Sequence, residues 1–203
     1  MIKAFIYKDF KQLKSSILIM VLILVILSIF IYQPGFCLSV GAVFASALVI
    51  STFSFDEKSG FDKEAVACVK NRRTIVNEKY LLMLIFALGS TVTTLLIEFF
   101  VGRKQEFMSL PFLFFMALLS FSLSLFMSGL SIPFTIGLGA DKGRLISMLC
   151  YILPTTIFVM TAKIISEKEA SFAIFIITMV IPSVAVAAIS YFVSTILLEK
   201  KDF

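Results

Sequence analysis

Histidine is absent from all 203 residues, which excludes a histidine-based triad, a histidine-ligated metal or haem, and a histidine proton relay. Cysteine is scarce. Cys37, Cys68 and Cys150 lie in different segments without CxxC spacing, so they read as small apolar fillers, and neither a disulfide framework nor a zinc site is suggested. No GxxxxGKS or GxxxxGKT occurs, so the chain has no P-loop with which to bind ATP. Charge is also in short supply, with 18 Lys and Arg and 13 Asp and Glu, and it is unevenly placed. Five uncharged runs, 15–55, 80–97, 107–140, 145–162 and 170–198, take up 140 residues. A water-soluble domain needs charged residues along one face of most of its elements. This chain cannot supply them, and it reads as a polytopic membrane protein.

A bilayer core of about 30 Å takes about 20 apolar residues per helix, whereas a β-barrel shows alternating polarity. The expected fold is therefore all-α. The first run holds two helices, 16–32 and 36–55, parted by the breaker Gln33-Pro34-Gly35. Further spans are expected over 80–101, 110–132, 145–162 and 171–198, the last over-long and kinked or tilted at Pro182. The 34-residue run is too short for two spans and a turn, so it predicts one helix followed by an irregular stretch over 133–140.

Charge asymmetry tests this count. With six spans and an inside N-terminus, the cytoplasmic segments carry 14 of the 18 basic residues, leaving Arg103, Lys104, Lys163 and Lys168 outside. Both termini are then cytoplasmic, and the protein is a multi-pass component of the plasma membrane. The net charge of +5 reflects this topology and attraction to anionic inner-leaflet lipid, not nucleic-acid binding. The apolar run after Lys14 is too long for a signal-peptide core, so residues 1–14 are expected in the mature chain.

Two polar segments carry patterns of their own. Over 1–14, Ile2, Phe5, Ile6, Phe10 and Leu13 form a helical stripe flanked by Lys3, Lys8, Lys11 and Lys14, which predicts an amphipathic interfacial helix. A tail held by charge alone is the alternative. The loop 56–79 concentrates 11 of the 31 charges. Within it Phe61, Ala65, Val66 and Val69 predict a short helix with one apolar stripe, and Thr74 can cap the helix that follows. Lipid headgroups, the chain's own helix ends or a cytosolic partner could cover that stripe.

The segment DEKSGFDK directly after the second span, the basic NRRTIVNEKYLL leading into the third, and Pro133 followed by GADKGR at 139–144 resemble the ABC-2 type transporter permeases. More narrowly, the chain is similar to the short six-helix permeases of Gram-positive bacteria that lack a fused ATPase. The resemblance implies a coupling helix that docks on a separate ATPase subunit, which supplies ATP and Mg. By position this helix is Gly60, Phe61, Asp62, Lys63, Glu64, Ala65, Val66 and Val69, with Phe61 as anchor. It also implies a second permease subunit, identical or different, with the pathway between the two. Lys8, Lys11, Arg72, Arg73, Lys142 and Arg144 are candidate contacts to the ATPase or to lipid headgroups. No cofactor is expected on this chain itself. Fewer residues separate the fifth and sixth spans than in larger members, so no gating role is transferred there.

The spans offer mainly Phe, Leu, Ile, Val, Ser and Thr, so the expected cargo is apolar or amphiphilic, a peptide or a lipid-like molecule, moved outward. Glu98 is the acidic residue nearest an apolar span. It reads as an interfacial carboxylate paired with Arg103 or Lys104, or as a candidate contact for cationic cargo. Gly41, Ala45 and Ala47, with Ser39, Ser46 and Ser51, allow close helix packing within or between subunits. The runner-up function is a non-transporting membrane binding protein, an immunity or sensor component. An intramembrane enzyme or ion-coupled carrier is disfavoured, because no acid falls mid-span and every Asp is assigned outside the spans.

Overall fold

The computed structural model describes residues 2–30, 36–68, 72–102, 110–149, 151–152, 155–156 and 179–200. Among the described residues the elements are α1 (Ile2–Phe30), α2 (Phe36–Ser59), α3 (Phe61–Cys68), α4 (Arg73–Gly102), α5 (Leu110–Leu138), α6 (140–149) and α7 (Ile181–Lys200). Five of these, α1, α2, α4, α5 and α7, are long and apolar enough to cross a membrane. Half of the span expected over 145–162 lies outside the described residues, as does the start of the one expected over 171–198.

Two helix boundaries differ from the sequence expectation. A break was expected between an interfacial helix at 1–14 and a span at 16–32, but α1 runs unbroken for 29 residues. No Gly or Pro interrupts it, and Asp9 and Leu13 are buried against the bundle, which holds the first turns in line with the rest. The third helix begins at Arg73, within a residue of the cap expected at Thr74, and Ile75, Val76 and Tyr80 carry its apolar face into the core ahead of the span expected from 80. The irregular stretch predicted from Pro133 is helical as far as Leu138.

Pro133 is tolerated for an identifiable reason. A proline inside a helix has no N–H for the carbonyl four residues earlier. That carbonyl belongs to Gly129, and the Ser190 hydroxyl of α7 donates to it. Ser190 also shares a hydrogen bond with the Tyr80 hydroxyl of α4, which reaches Ser194 at 2.9 Å. One buried hydroxyl chain therefore joins α4, α5 and α7. α7 passes close to Gly129, where a Cβ would sit in van der Waals contact, 3.4 Å from the Ala187 backbone.

α2 lies at the centre, in contact with α1, α3, α4 and α5. At membrane depth it packs through small residues and backbone carbonyls, as expected where lipid removes the hydrophobic drive between helices. A Cβ at Gly41 would overlap the Thr94 methyl of α4. Ser120 of α5 donates to the Leu38 carbonyl at 2.7 Å. Gly41 and Ala45 are thus used inside the subunit. The lipid-depth half of α1 is the opposite case: past Leu13 it buries only Leu24 and Ser28, and Leu18, Leu22, Ile26 and Ile29 are exposed.

Near the end of α5, Gly139 takes φ +85° and turns the chain into α6, which doubles back so that Tyr151 packs beside Ala42, Leu123 and Met127. Gly143 sits so tightly under α5 that a Cβ would come 2.6 Å from the Thr135 Cα.

Replacing Ser190 with Ala should leave the Gly129 carbonyl without its donor and lower stability by about 1 kcal/mol. The chain has no Trp, so the measurement is thermal exposure of buried Cys37 to a thiol-reactive dye in detergent. An unchanged melting point would show that the Ser190 bond does not compensate Pro133.

Candidate functional site

Four separate segments meet at one end of the bundle: the start of α1, the connection from α2 through α3 to α4, the α5–α6 turn, and the end of α7. Polar side chains tie them together. Arg72 donates from Nη1 to the carbonyls of Leu198 and Glu199 at 3.1 Å, satisfying the open end of α7. Arg73 adds a surface ion pair to Glu199 at 3.0 Å. The Glu57 carboxylate accepts the Ala140 N–H at the start of α6, where a negative charge also suits the helix dipole. Arg144 donates to the Ser54 hydroxyl at 2.6 Å.

At the centre lies a buried ion cluster. The Lys79 ammonium of α4 donates to Asp9 Oδ2 of α1 at 2.9 Å, to Asp56 Oδ2 of α2 at 2.6 Å and to the Thr52 hydroxyl at 3.2 Å. An ammonium has three donors, and all three are used. Lys8 pairs with Asp56 and lies 3.0 Å from Asp9 Oδ1. Glu78 completes the group, with Oε2 at 3.5 Å from Lys79 Nζ. Asp9, Asp56, Glu78 and Lys79 are at most 3% exposed. Buried charges at this density require pairing, because an uncompensated one costs several kcal/mol.

The same cluster carries α3. Gly60, at φ +71°, makes the turn out of α2, and its carbonyl accepts the Glu64 N–H. The Phe61 ring then meets Phe5 of α1 edge-on at 5.5 Å, and the Lys8 ammonium lies 3.6 Å above its centre. Lys8 therefore joins the short helix to Asp56 and Asp9 at once. Ala65 is buried, Val66 is half-buried beside a small cavity it shares with Glu57, Lys79 and Ala140, and Glu64 and Ala67 face outward.

The fate of the sequence-derived residues follows from this geometry. Phe61 and Ala65 turn inward, so the chain's own helix ends cover their part of the apolar stripe. Asp62 and Lys63 belong to α3 by backbone, but their side chains, and all of Val69, lie outside the described residues. Three candidate contacts to an external partner are engaged internally: Lys8 in the cluster, Arg72 and Arg73 on α7. Arg144 reaches Ser54 while staying exposed, and Lys11 and Lys142 are exposed. Glu98 is 4% exposed, turned into the protein and not open at an interface. Its expected partners Arg103 and Lys104 lie outside the described residues.

Asp9, Asp56, Glu78 and Lys79 were not singled out by sequence. One signal was present. Asp9 stands four residues after Phe5 and four before Leu13, so an acid interrupts the apolar stripe of the first helix. Lys79 likewise falls three residues after Val76 and four before Met83 on the buried face of α4. A charge on the apolar side of a helix needs a counter-charge in the core.

A family model described as ABC-2 family transporter protein matches residues 4–199. No curated protein and no solved structure matches the chain.

Replacing Lys79 with Met removes one cation from between two buried carboxylates and should destabilise the fold by about 3–5 kcal/mol. The readout is recovery of folded chain in detergent by size-exclusion chromatography. Adding Asp9→Asn to Lys79→Met should restore part of it by removing one stranded charge. Equal recovery of the Lys79→Met variant and the parent would show that the cluster does not hold the helices together.

Proposed function

We propose a mechanism for a chain that belongs to the ABC-2 family of transporter membrane proteins: it is the permease subunit of an exporter driven by a separate ATPase that docks on α3. The observation that carries this reading is the seating of α3. This eight-residue helix lies across the end of the bundle, anchored inward by Phe61 on Phe5 and Lys8 while presenting Glu64 outward. A docking element needs such a division, with one face fixed to the machine it moves and the other free for a partner.

The positive-inside rule supports placing this end in the cytoplasm, where ATP is. Closure of two ATPase subunits around ATP would push α3. Because α3 grips α1 through Lys8 and follows α2 through Gly60, the push reaches two membrane-crossing helices together, and α4 through the shared carboxylates. No nucleotide chemistry is required of this chain.

Two copies, or two related permeases, would enclose the pathway, and the exposed apolar face of α1 suits either lipid or such a neighbour. An apolar cavity of about 190 Å³ between α1, α2 and α4, lined by residues such as Ile17, Phe44, Leu48 and Phe86, supports an amphiphilic or peptide cargo over a small polar one.

Charge reversal at Glu64, which faces outward, should weaken capture of the ATPase about tenfold, or about 1.4 kcal/mol, without moving the melting point. The measurement is co-purification of the full-length Glu64→Arg chain with a P-loop ATPase expressed together with it, alongside ATP hydrolysis in proteoliposomes. If the unaltered chain neither retains that ATPase nor stimulates its hydrolysis, the permease reading fails. If the Glu64→Arg variant retains it fully, the outward face of α3 is not the docking face.

A further inference from the structure

The buried cluster is unbalanced. It contains two ammonium groups, Lys8 and Lys79, and three carboxyl groups, Asp9, Asp56 and Glu78. The donors are also unevenly shared. Lys79 spends its three N–H groups on Asp9, Asp56 and Thr52, and Lys8 serves Asp56 and Asp9 from the other side. Glu78 receives none of them. Its Oε2 is 3.5 Å from Lys79 Nζ, its Oε1 is buried without a hydrogen-bond partner, and its side chain is 3% exposed.

Of the three carboxyl groups Glu78 alone is left without a cation closer than 3.5 Å: Asp9 and Asp56 each face both ammonium groups. A carboxylate is an acceptor only, and burial without a donor disfavours its charged form, so the unserved carboxyl is the one that takes up a proton. Asp9 already has both ammonium groups as counter-ions and stays ionised. We propose that Glu78 is the protonated member, which makes the joint of α1, α2 and α4 a proton-binding site.

With that proton the cluster is neutral: two cations face two anions, and Glu78 is a neutral donor. Without it, a third negative charge shares a buried site with Asp9 and Asp56, where like charges repel more strongly than in water. Loss of the proton to cytosolic water therefore opens the joint between α1 and α4. The charged and polar groups facing Glu78 and Asp9 are Lys8 from α1, Asp56 and Thr52 from α2, and Lys79 from α4. From α3, Phe61 acts through Lys8. The folded chain then binds one more proton than the unfolded chain near neutral pH, so stability falls as pH rises through that range. This inference is independent of whether an ATPase docks on α3.

Infrared spectroscopy of the purified full-length chain in detergent tests it, because a protonated carboxyl has a carbonyl-stretch band distinct from that of a carboxylate. Exposed acids are ionised at neutral pH and do not contribute. Buried Glu98 could, so three proteins are compared. The unaltered chain should show the band at neutral pH and lose intensity on alkalinisation. The Glu78→Gln chain, whose amide N–H replaces the proposed donor, should lack that component and melt at a temperature that no longer falls over the same pH interval. The Glu98→Gln chain should keep both the component and the fall. The same band in the parent and in the Glu78→Gln chain, or no band in the parent, overturns the proposal. Should the Glu78→Gln chain fail to fold, the Glu98→Gln chain decides alone: a band that disappears with alkali supports the site, and its absence at neutral pH overturns it.

Discussion

One ammonium group, that of Lys79, organises the end of the bundle from which the rest of the structure hangs. Its three N–H bonds reach α1 at Asp9 and α2 at Asp56 and Thr52, while its own backbone belongs to α4. Removing an ammonium from water is expensive, and the expense is recovered only if every donor finds an acceptor at good distance. That requirement constrains three helices in position and rotation at once. A salt bridge on the surface would do none of this, since water would supply the missing partners. Burial makes the arrangement all-or-none.

The two ends of each helix therefore obey different physics. At the charged end, specificity comes from ions whose alternatives are costly. At membrane depth, the helices meet through close approach and stray backbone groups: Gly41 under Thr94, Ser120 on the Leu38 carbonyl, Ser190 on the carbonyl that Pro133 leaves open. Each of these is worth little by itself. Packing of this kind permits helices to slide or tilt by small amounts, whereas the ion cluster resists such movement until its charges are rearranged. Under the proposed function the two are complementary, a firm joint where an ATPase would push and a compliant body where the cavity would change shape.

Much of this architecture is legible in the sequence because hydropathy and charge act over whole segments. Uncharged runs mark the long helices, and the basic residues cluster in segments that the fold brings to a single end. What the sequence conceals are compensations between elements distant in the chain. Pro133 predicts a helix end unless one knows that Ser190, 57 residues later, supplies a donor to Gly129. The 1–14 segment predicts a helix lying on the membrane because four lysines flank an apolar stripe. The fold extends it instead as the first turns of α1, and the deciding residue is Asp9, whose place on the apolar side makes sense only with Lys79 opposite. Phe61 shows the same limitation from the other direction. An exposed-looking aromatic on a short amphipathic helix reads as an anchor for a partner, yet it stacks under Lys8 of its own chain.

The position of Lys8 gives the design its logic. A short helix attached only by its covalent turn at Gly60 would pivot when pushed, since a glycine at positive φ offers little resistance to rotation. Stacking Phe61 beneath an ammonium that is already pinned to Asp56 and Asp9 supplies a second attachment, on a different helix. Two attachments on two helices turn a pivot into a lever, so displacement of α3 cannot be absorbed locally and must shift α1 against α2. The contact between Lys8 and the ring is itself strengthened by partial desolvation, since only 23% of the lysine side chain is exposed. A displacement of α3 would therefore arrive first at a buried ion cluster, and whether that cluster yields depends on its balance of charge before it depends on any packing deeper in the membrane.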